Sequence, residues 1–407
     1  MKIAVIGLGY IGLPTALIMA ANGVKVVGID YNEELVNTLN EGKTTFEEKD
    51  LDKLLSDAIV AGIRFSHIYE SADVYIVAVP TPYVEETKQI NPEHVISAVE
   101  GILKVCGTGA VIAIESTISP GTVEKYIRPI IKNSRFEVHL AHVPERILPG
   151  NMIYELSHNS RTIGADDRVT AEKVKDVYAA FCKAEIVITD IKTAEMTKVI
   201  ENTYRDINIA FANELARICH KTGMNVYEVI RIANMHPRVN ILSPGPGVGG
   251  HCISVDPWFL VGDYPELTSL ILTARNTNDL MPEYVSMRIR EIAEKHGVKE
   301  ESQIGLYGLT YKEEVDDVRE SPTLRLIQNL KKNGTVGVKV YDPFIKIKIV
   351  DNQYTEFDAF LCAVKIVVIM VGHKHIKKNI EKLQDKILYD TRNCIDKDAF
   401  KGSIYHL

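Results

Sequence analysis

The feature that most constrains this fold is a glycine-rich turn between two apolar runs near the start of the chain. Lys2 to Ile6 predicts a buried β-strand, and the GxGxxG turn from Gly7 to Gly12 follows it directly. A helical stretch then leads to a second strand, Lys25 to Ile29, which ends at Asp30. A strand, a glycine turn, a helix, a second strand and an acid in this order predict a dinucleotide-binding Rossmann unit.

Each element of this unit has a physical reason to be there. Gly7 permits the tight turn, Gly9 lets the backbone approach a pyrophosphate, and Gly12 lets the helix pack on the strand. The helix N-terminus offers N–H groups to the phosphates. Asp30 can accept hydrogen bonds from the ribose hydroxyls and would repel a 2′-phosphate, which favours NAD over NADP. The alternative is a glycine turn that binds no ligand.

Composition narrows the class of protein. A chain of 407 residues predicts two or three domains, and a net charge of −7 gives no reason to expect a nucleic acid or an anionic membrane as partner. The six cysteines contain no CxxC pair, which indicates reduced thiols in a cytoplasm and argues against a structural metal site. The sequence contains no uninterrupted run of about 18 apolar residues, so it predicts no membrane span.

Further strands predict a doubly wound sheet with polar residues at the strand ends. Thr81, Thr117 and Glu145 each follow such a strand, where ligands bind in parallel sheets. Helix capping is the alternative role for the two threonines. From Gln303 a second α/β segment begins, with a predicted N-cap at Ser321 before Pro322.

Two basic residues flank the start of that capped helix. Lys312 and Arg319 form either a cradle for a second diphosphate or ordinary surface salt bridges, and the sequence leaves both interpretations open.

The middle of the chain is helical. Thr193 to Thr222 predicts one long helix stopped by Gly223, and Lys198 and Asn202 share one face of it. Apolar neighbours predict that this helix is largely buried and carries the two polar groups inward. Leu267 to His296 predicts a further helix.

Between these helices lies a shaped loop, Ser243 to Phe259, rich in glycine and proline. It presents His251 and Cys252, with Asp256 four residues after the cysteine. A thiol on a rigid loop is a candidate covalent nucleophile. Equally, Cys252 could be a small buried hydrophobe, and the loop alone does not decide between the two.

Seven motifs in order resemble the UDP-glucose/GDP-mannose dehydrogenase family over nearly the whole chain. They are VIGLGYIGLP (5–14), PTP (80–82), EST (115–117), PERILPG (144–150), TAEMTKVIENTYRDINIAFANELA (193–216), GVGGHCISVDPWF (247–259) and GLTYKEEVDDVRESP (308–322). The loop HPRVNILSPGPGVGGHC with VDPWF is most similar to the branch that oxidises UDP-N-acetyl-D-mannosamine. UDP-N-acetylglucosamine is the alternative substrate.

The resemblance implies an α/β fold of three domains. These are an N-terminal NAD-binding Rossmann domain (1–190), a central all-helical dimerisation domain with the cysteine loop (191–298), and a C-terminal Rossmann-like nucleotide-sugar domain (299–407). It implies a four-electron oxidation of an alcohol to a carboxylate, with two NAD reduced. It also implies a homodimer in which Arg238 reaches the partner subunit's sugar site.

The resemblance also assigns roles to individual residues. Cys252 would attack the C6 aldehyde, Lys198 and Asn202 would stabilise the oxyanion, and Asp256 with Thr117 would position or activate the water or the alcohol. Glu145 would help hydrolysis, although Pro149 replaces a second glutamate of the UDP-glucose branch. The expected cofactor-binding residues are Gly7, Gly9, Tyr10, Ile11, Gly12, Asp30, Thr81 and Thr117. The expected substrate-binding residues are Glu145, Arg146, Lys198, Asn202, Arg238, Gly249, Lys312 and Arg319.

Two rival functions remain at this point. One is a two-electron dehydrogenase or epimerase that uses NAD without covalent catalysis and would not need Cys252. The other is a non-catalytic NAD or sugar-nucleotide sensor, which would be expected to lose Lys198, Asn202 or Cys252. This chain retains all three.

Overall fold

The computed structural model describes residues 1–148, 150–250 and 252–407. The chain divides into two compact units. The first consists of Met1–Glu201 with Trp258–Pro265, and the second of Asn202–Pro257 with Glu266–Leu407. No helix among the described residues is long and apolar enough to cross a membrane.

The first unit is built on a doubly wound sheet. Its strands are β1 (Lys2–Ile6), β2 (Lys25–Ile29), β3 (Arg64–Ser66), β4 (Val74–Val77), β5 (Ala110–Ile114), β6 (Val138–His142), β7 (Arg161–Ala165) and β8 (Ile186–Thr189). They lie in the order β3-β2-β1-β4-β5-β6-β7-β8. Strands β1 to β6 pair in parallel, whereas β7 pairs antiparallel with β6. The central strands are buried along nearly their whole length, as expected when helices cover both faces.

Seven helices accompany this sheet within the described residues of the first unit. They are α1 (Gly12–Ala21), α2 (Glu33–Asn40), α3 (Leu51–Val60), α4 (Glu93–Leu103), α5 (Arg128–Lys132), α6 (Met152–His158) and α7 (Arg168–Ala179). Nearly every residue of α1 is buried, because the helix packs against the sheet on one side and against α3 and α6 on others, and this burial explains its apolar sequence. This confirms the expected Rossmann unit of strand, glycine turn, helix and strand.

The central segment is helical, as expected. Its helices are α8 (Ile191–Thr222), α9 (Val226–Ala233), α10 (Asp256–Asp263), α11 (Ser269–Asp279) and α12 (Met281–Lys295). Helix α8 starts two residues before the predicted position, because the Asp190 carboxylate accepts hydrogen bonds from the Thr193 backbone N–H and hydroxyl. It ends where Gly223 adopts a φ of 73°.

One prediction for this segment is wrong. The single helix expected over residues 267–296 is two helices, with the break between Asp279 and Met281. Pro282 stands in the first turn of α12. A proline there lacks an N–H donor and crowds the preceding turn, so α11 cannot continue through it.

The second unit contains a parallel sheet of its own. Its strands are β9 (Ile304–Tyr307), β10 (Lys339–Tyr341), β11 (Gln353–Tyr354), β12 (Ile366–Ile369), β13 (Ile387–Asp390) and β14 (Ile404–His406). The order β11-β10-β9-β12-β13-β14 repeats that of the first six strands of the other sheet. The accompanying helices are α13 (Pro322–Lys332), α14 (Phe357–Ala363) and α15 (Lys374–Lys378). The Ser321 hydroxyl accepts hydrogen bonds from the Thr323 and Leu324 N–H groups, which confirms the predicted N-cap.

The central helices and this second sheet share one hydrophobic core. Val285 and Ile289 of α12 belong to the same buried cluster as Leu326 and Leu330 of α13. Each such side chain contributes roughly 1.5–3 kcal/mol when fully buried. A common core explains why these two segments form one compact unit.

Candidate functional site

The glycine turn after β1 has the geometry that a dinucleotide needs. Gly7 adopts a φ of +89°, and its N–H donates to the carbonyl of Ile29 at 2.8 Å. A Cβ on Gly12 would lie 1.9 Å from the carbonyl oxygen of Gly7, so no larger residue fits there. A Cβ on Gly9 would meet no atom within 4 Å, which leaves open space at the helix N-terminus for a pyrophosphate.

Asp30 lies at the carboxyl end of β2, close to this turn. Its Oδ2 accepts a hydrogen bond from the Leu8 N–H at 2.8 Å, and its Oδ1 accepts one from the Asn32 N–H at 3.0 Å. These bonds fix the carboxylate where a ribose hydroxyl can donate to its remaining lone pairs. Together with the space above Gly9, the residues present fit NAD. When bound, NAD supplies a hydride acceptor.

Tyr10 and Ile11 are placed differently from the glycines. Both are partly buried and pack against the hydrophobic core of the first unit. The Tyr10 ring lies 4.3 Å from the ring of Phe46. Their contribution to cofactor binding would therefore come through the backbone of the turn.

We predict that NAD is preferred over NADP by about 100-fold or more in kcat/KM. A 2′-phosphate would have to approach the fixed carboxylate of Asp30, and even at a screened 4 Å two like charges repel by about 1–4 kcal/mol. Steady-state kinetics with both cofactors measure the ratio, and Asp30→Ser should reduce it. Exposed Glu33→Ser, in the neighbouring helix, is the control. Comparable kcat/KM values for the two cofactors would contradict this prediction.

The loops after β4 and β5 are joined by side-chain hydrogen bonds. The Thr81 hydroxyl donates to the backbone carbonyl of Thr117 at 2.6 Å. The Ser116 hydroxyl accepts from the Val79 N–H at 2.8 Å. Helix α4 begins only at Glu93, so Thr81 does not cap it. The structure therefore brings the two predicted threonines together at the carboxyl edge of the sheet.

Glu145 and Arg146 follow β6 and have separate partners. Glu145 is buried, and its Oε2 lies 2.6 Å from Nη1 of Arg161. Arg146 forms an ion pair of 2.7 Å with Glu201 and donates to the Thr162 hydroxyl at 3.1 Å. Pro149, which also entered the sequence argument, lies outside the described residues.

Sequence reasoning missed the residues behind Glu145. Arg161 and Glu115 are almost fully buried, with 2% and 1% of their surface exposed. Burial, and then the nearby charge of Glu145, raise the pKa of Glu115 to about 8. One signal was available: Glu115 directly follows a five-residue apolar strand, an unusual place for an acid unless it is paired.

Lys198 lies on α8 with only 7% of its surface exposed. Among the described residues, its ammonium forms no hydrogen bond or ion pair, and Nζ is not among the fully buried atoms that lack a partner. A lysine whose stem is buried while its charged end stays accessible is suited to contact a ligand. Asn202, one helical turn further along, is likewise buried. The inward placement of these two polar groups matches the expectation from the sequence.

Asn202 and Asp256 are in direct contact within the second unit. The Asn202 Nδ2 donates to Asp256 Oδ2 at 2.6 Å, and both residues are buried. Asp256 is the first residue of α10, and its backbone N–H donates to the carbonyl of Cys252 at 2.9 Å. Cys252 is exposed, so it is not the buried hydrophobe that the alternative required. His251 lies outside the described residues.

The cysteine loop also contacts the predicted nucleotide-sugar loop. The Gly250 N–H donates to the carbonyl of Arg319 at 3.0 Å. A Cβ on Gly249 would lie 2.5 Å from the carbonyl oxygen of Glu320, so glycine is required for this close approach. The Arg319 guanidinium forms an ion pair of 2.6 Å with Asp317, while its side chain stays half exposed. Lys312 is partly buried in the same loop, where its carbonyl accepts from the Thr310 hydroxyl.

A histidine not found from the sequence holds this loop in place. His373 is fully buried, and its Nδ1 accepts a hydrogen bond from the Glu314 N–H at 3.0 Å. The proton of the neutral ring therefore lies on Nε2, which faces the Thr310 hydroxyl at 3.2 Å. Asp342, at the end of β10, accepts from the Leu309 N–H at 2.6 Å. The Asp342 carboxylate thus accepts a hydrogen bond from the backbone N–H of Leu309 just as the Asp30 carboxylate does from that of Leu8.

Arg238 stands apart from the other predicted residues. It is exposed, and its backbone N–H donates to Nδ1 of His236 at 3.3 Å. Within the described residues of the second unit, it forms no hydrogen bond or ion pair with another predicted site residue.

Comparison with known proteins shows the family to which the chain belongs. Models of the UDP-glucose/GDP-mannose dehydrogenase family match in three successive parts: the NAD binding domain over residues 1–182, the central domain over 192–280 and the UDP binding domain over 305–397. A UDP-N-acetyl-D-mannosamine dehydrogenase of Methanococcus maripaludis is 43% identical, with 98% of this chain and 94% of the relative covered. An NDP-N-acetyl-D-galactosaminuronic acid dehydrogenase of Ralstonia nicotianae is 40% identical, with 96% and 95% covered.

A solved structure of a similar protein also matches the chain over its whole length. The UDP-N-acetyl-mannosamine dehydrogenase of S. aureus superposes with a TM-score of 0.90 at 38% identity, covering 100% of this chain and 98% of that one.

Proposed function

Since the chain belongs to the UDP-glucose/GDP-mannose dehydrogenase family, we propose that it oxidises the C6 alcohol of UDP-N-acetyl-D-mannosamine to a carboxylate. Two NAD are reduced for each sugar. Support for this substrate comes from the cysteine loop sequence and from relatives of about 40% identity over nearly the full chain. We further propose that the protein acts in the cytoplasm, since its cysteines have no disulfide pattern.

The observation that carries the covalent mechanism is the position of Cys252. Its thiol is exposed at the turn that leads into Asp256, and Asp256 is held by Asn202. A dehydrogenase that stops at the aldehyde needs no thiol here. A thiolate can add to the aldehyde and keep the carbon bound for a second hydride transfer.

In the first step of the proposed reaction, the alcohol loses a hydride to the first NAD and a proton to a base, which leaves the aldehyde. The Cys252 thiolate adds to the carbonyl carbon, and the resulting thiohemiacetal anion gives the remaining C6 hydride to the second NAD and becomes a thioester. Water then breaks the C–S bond, releasing the carboxylate and the thiol.

The neighbouring residues have distinct proposed parts in these steps. Lys198 and Asn202 donate to the oxyanion that forms on the sugar oxygen, as preorganised donors do. Asp256 with Thr117 positions or activates the water or the alcohol, and Glu145 assists hydrolysis. The observed Asn202–Asp256 hydrogen bond supports a shared role for that pair.

Binding of the nucleotide sugar is assigned to the loop that follows β9. We propose that Lys312 and Arg319 contact the diphosphate, with Arg146 and Gly249 as further contacts. A three-domain division with boundaries after residues 190 and 298 remains our prediction for the functional parts of the chain.

Exposed apolar side chains on α8 support the proposed homodimer. Ile200, Tyr204, Phe211 and Ile218 are 46%, 63%, 52% and 48% exposed. Their spacing of four, seven and seven residues puts them in one stripe along the helix. The apolar sequence of α8 predicted a largely buried helix, whereas within a single chain these four side chains are exposed. Burial of this stripe against a second copy would account for it, and would leave the exposed Arg238 available to a partner.

We therefore predict that the protein is a dimer or a multiple of it, and that Tyr204→Glu with Phe211→Glu makes it monomeric. The wild type should scatter light as about twice 45.5 kDa or a multiple at micromolar concentration. Each glutamate would bury a charge in the interface. Val169→Glu, which changes an exposed apolar residue on α7, is the control. A wild type that is active as a monomer would refute the dimer and the role of Arg238 across subunits.

A screen of nucleotide sugars tests the substrate. UDP-N-acetyl-D-mannosamine, UDP-N-acetylglucosamine, UDP-N-acetylgalactosamine, UDP-glucose and GDP-mannose are compared by NADH release. We expect the mannosamine derivative to have the highest kcat/KM and to yield two NADH per sugar. The galactosamine derivative is the second candidate, because of the relative from Ralstonia nicotianae. A yield of one NADH per sugar would instead support a two-electron dehydrogenase.

A further inference from the structure

Behind Glu145 lies a buried group of ionisable side chains, which we call the arginine cluster: Arg161, Glu115, Glu145 and Tyr178. All four belong to the first unit. They come from β7, from the end of β5, from the loop after β6 and from α7. Their exposed fractions are 2%, 1%, 7% and 0%. Such a concentration of charge in an interior needs a reason, because each buried ion has lost its hydration.

Arg161 is oriented by its charge and by two aromatic rings. Its guanidinium carbon lies 4.8 Å from the ring centre of Tyr178 and 5.2 Å from that of Phe181. Its Nη1 lies 2.6 Å from Glu145 Oε2 and 3.8 Å from Glu115 Oε1. Among the described residues, neither Nε nor Nη1 has a partner with hydrogen-bond geometry. The close ion pair with Glu145, the two ring faces and a hydrogen bond from Nη2 to the Leu156 carbonyl at 3.4 Å therefore place this guanidinium.

The charges in the cluster balance only if one carboxyl group keeps its proton. There is one cation for two buried carboxyl groups. Burial and the charge of Glu145 raise the pKa of Glu115 to about 8, so Glu115 is mostly protonated at pH 7. The other groups that face Glu115 are Arg161, the Tyr178 hydroxyl at 3.0 Å and Thr15 on α1. Since a protonated Glu115 carries no charge, Arg161 forms its close ion pair with Glu145 alone.

We propose that Arg161 and Glu115 are positioning residues for Glu145 in the hydrolysis of the Cys252 thioester. Arg161 fixes the Glu145 carboxylate, and Glu115 holds Arg161 from the other side without competing for its charge. This inference rests on the function proposed above. It concerns the last chemical step, in which water attacks the thioester.

Pre-steady-state kinetics with Arg161→Met test this assignment. Hydride transfer should remain within about threefold of wild type, so two NADH per site appear in a burst. Steady-state turnover should then fall by roughly 100-fold, the lower range for removing general-base assistance. Intact-protein mass spectrometry should show the sugar acyl group on the protein. Arg168→Met, at an exposed arginine of the same unit, should show neither effect. Equal slowing of burst and steady state would overturn the assignment.

A second variant separates failure of this inference from failure of the proposed function. Glu145→Gln should accumulate the same acyl-enzyme. If it does not, the role of Glu145 in hydrolysis is wrong. If Glu145→Gln accumulates acyl-enzyme and a folded Arg161→Met does not, the positioning role is wrong.

Glu115→Gln keeps the inference testable if Arg161→Met does not fold, since an amide mimics the protonated acid. In the wild type, Glu115 ionises above pH 8 and then competes with Glu145 for the charge of Arg161. The hydrolysis rate of the wild type relative to that of Glu115→Gln should therefore fall by about threefold between pH 7 and pH 9. Glu115→Gln cannot ionise, and an identical pH profile in both proteins would overturn the role of Glu115.

Discussion

Replacing Cys252 with alanine should reduce overall turnover to the carboxylate by at least about 10⁴-fold, or roughly 5.5 kcal/mol of transition-state stabilisation. The loop should keep its shape, because Val255 and Asp256 donate to the backbone carbonyl of Cys252, which alanine retains. Without the thiolate no thiohemiacetal forms, so the second hydride transfer has no bound carbon to act on. NADH yield per sugar, two for the wild type, measures the effect.

Cys252→Ser gives a sharper result. Its hydroxyl can form a hemiacetal and then an ester, but an oxygen ester hydrolyses far more slowly than a thioester. Intact-protein mass after a single turnover should therefore show the sugar attached. Cys362→Ala, at another exposed cysteine of the second unit, is the matched control and should retain wild-type rates. Two NADH per sugar at a near wild-type rate from Cys252→Ala would disprove covalent catalysis.

The second large effect is expected at Lys198. Lys198→Met keeps the length of the side chain and removes its charge, so the oxyanion loses a donor. Loss of one such donor commonly costs 10²–10³-fold in kcat, about 2.7–4 kcal/mol. Stability should be nearly unchanged, because methionine keeps most of the buried apolar stem of Lys198, and the ammonium forms no ion pair among the described residues.

Lys192→Met provides the control for this variant, since Lys192 is an exposed lysine on the same helix. Single-turnover NADH release and thermal unfolding are measured for both proteins. A drop in kcat with unchanged melting temperature would support a role in the reaction. If Lys198→Met kept kcat within about threefold of wild type, the ammonium would not be an oxyanion donor.

Local sequence patterns determined much of the architecture. The GxGxxG turn, Asp30 and the two apolar strands lie within 30 residues, and their spacing alone specifies a Rossmann unit. The long central helix and the Ser321 cap were also predictable, because helical periodicity and capping depend on near neighbours. Where a local signal was overlooked, as with Pro282, the predicted helix was too long.

The solvent exposure of individual side chains could not be predicted from such local sequence patterns. Ile200 and Phe211 are apolar, and apolar residues on a helix usually predict burial within the chain. The structure instead leaves them in an exposed stripe, because the apolar surface of α8 extends around more of the helix than one core can cover. Which apolar face of a helix packs into the core of its own chain, and which stays exposed and can bind another chain, depends on the elements that pack around the helix.

The sequence by itself determined which residue types are present and where the turns and helices lie. The tertiary structure decided their partners. Asp256 is held by Asn202, 54 positions away, and Glu145, in the loop after β6, is held by Arg161 at the start of β7. Turn and helix signals act between residues close in sequence, whereas these contacts depend on strand order and helix packing across the whole unit. For that reason the roles of Arg161 and His373 were identified only from the folded structure.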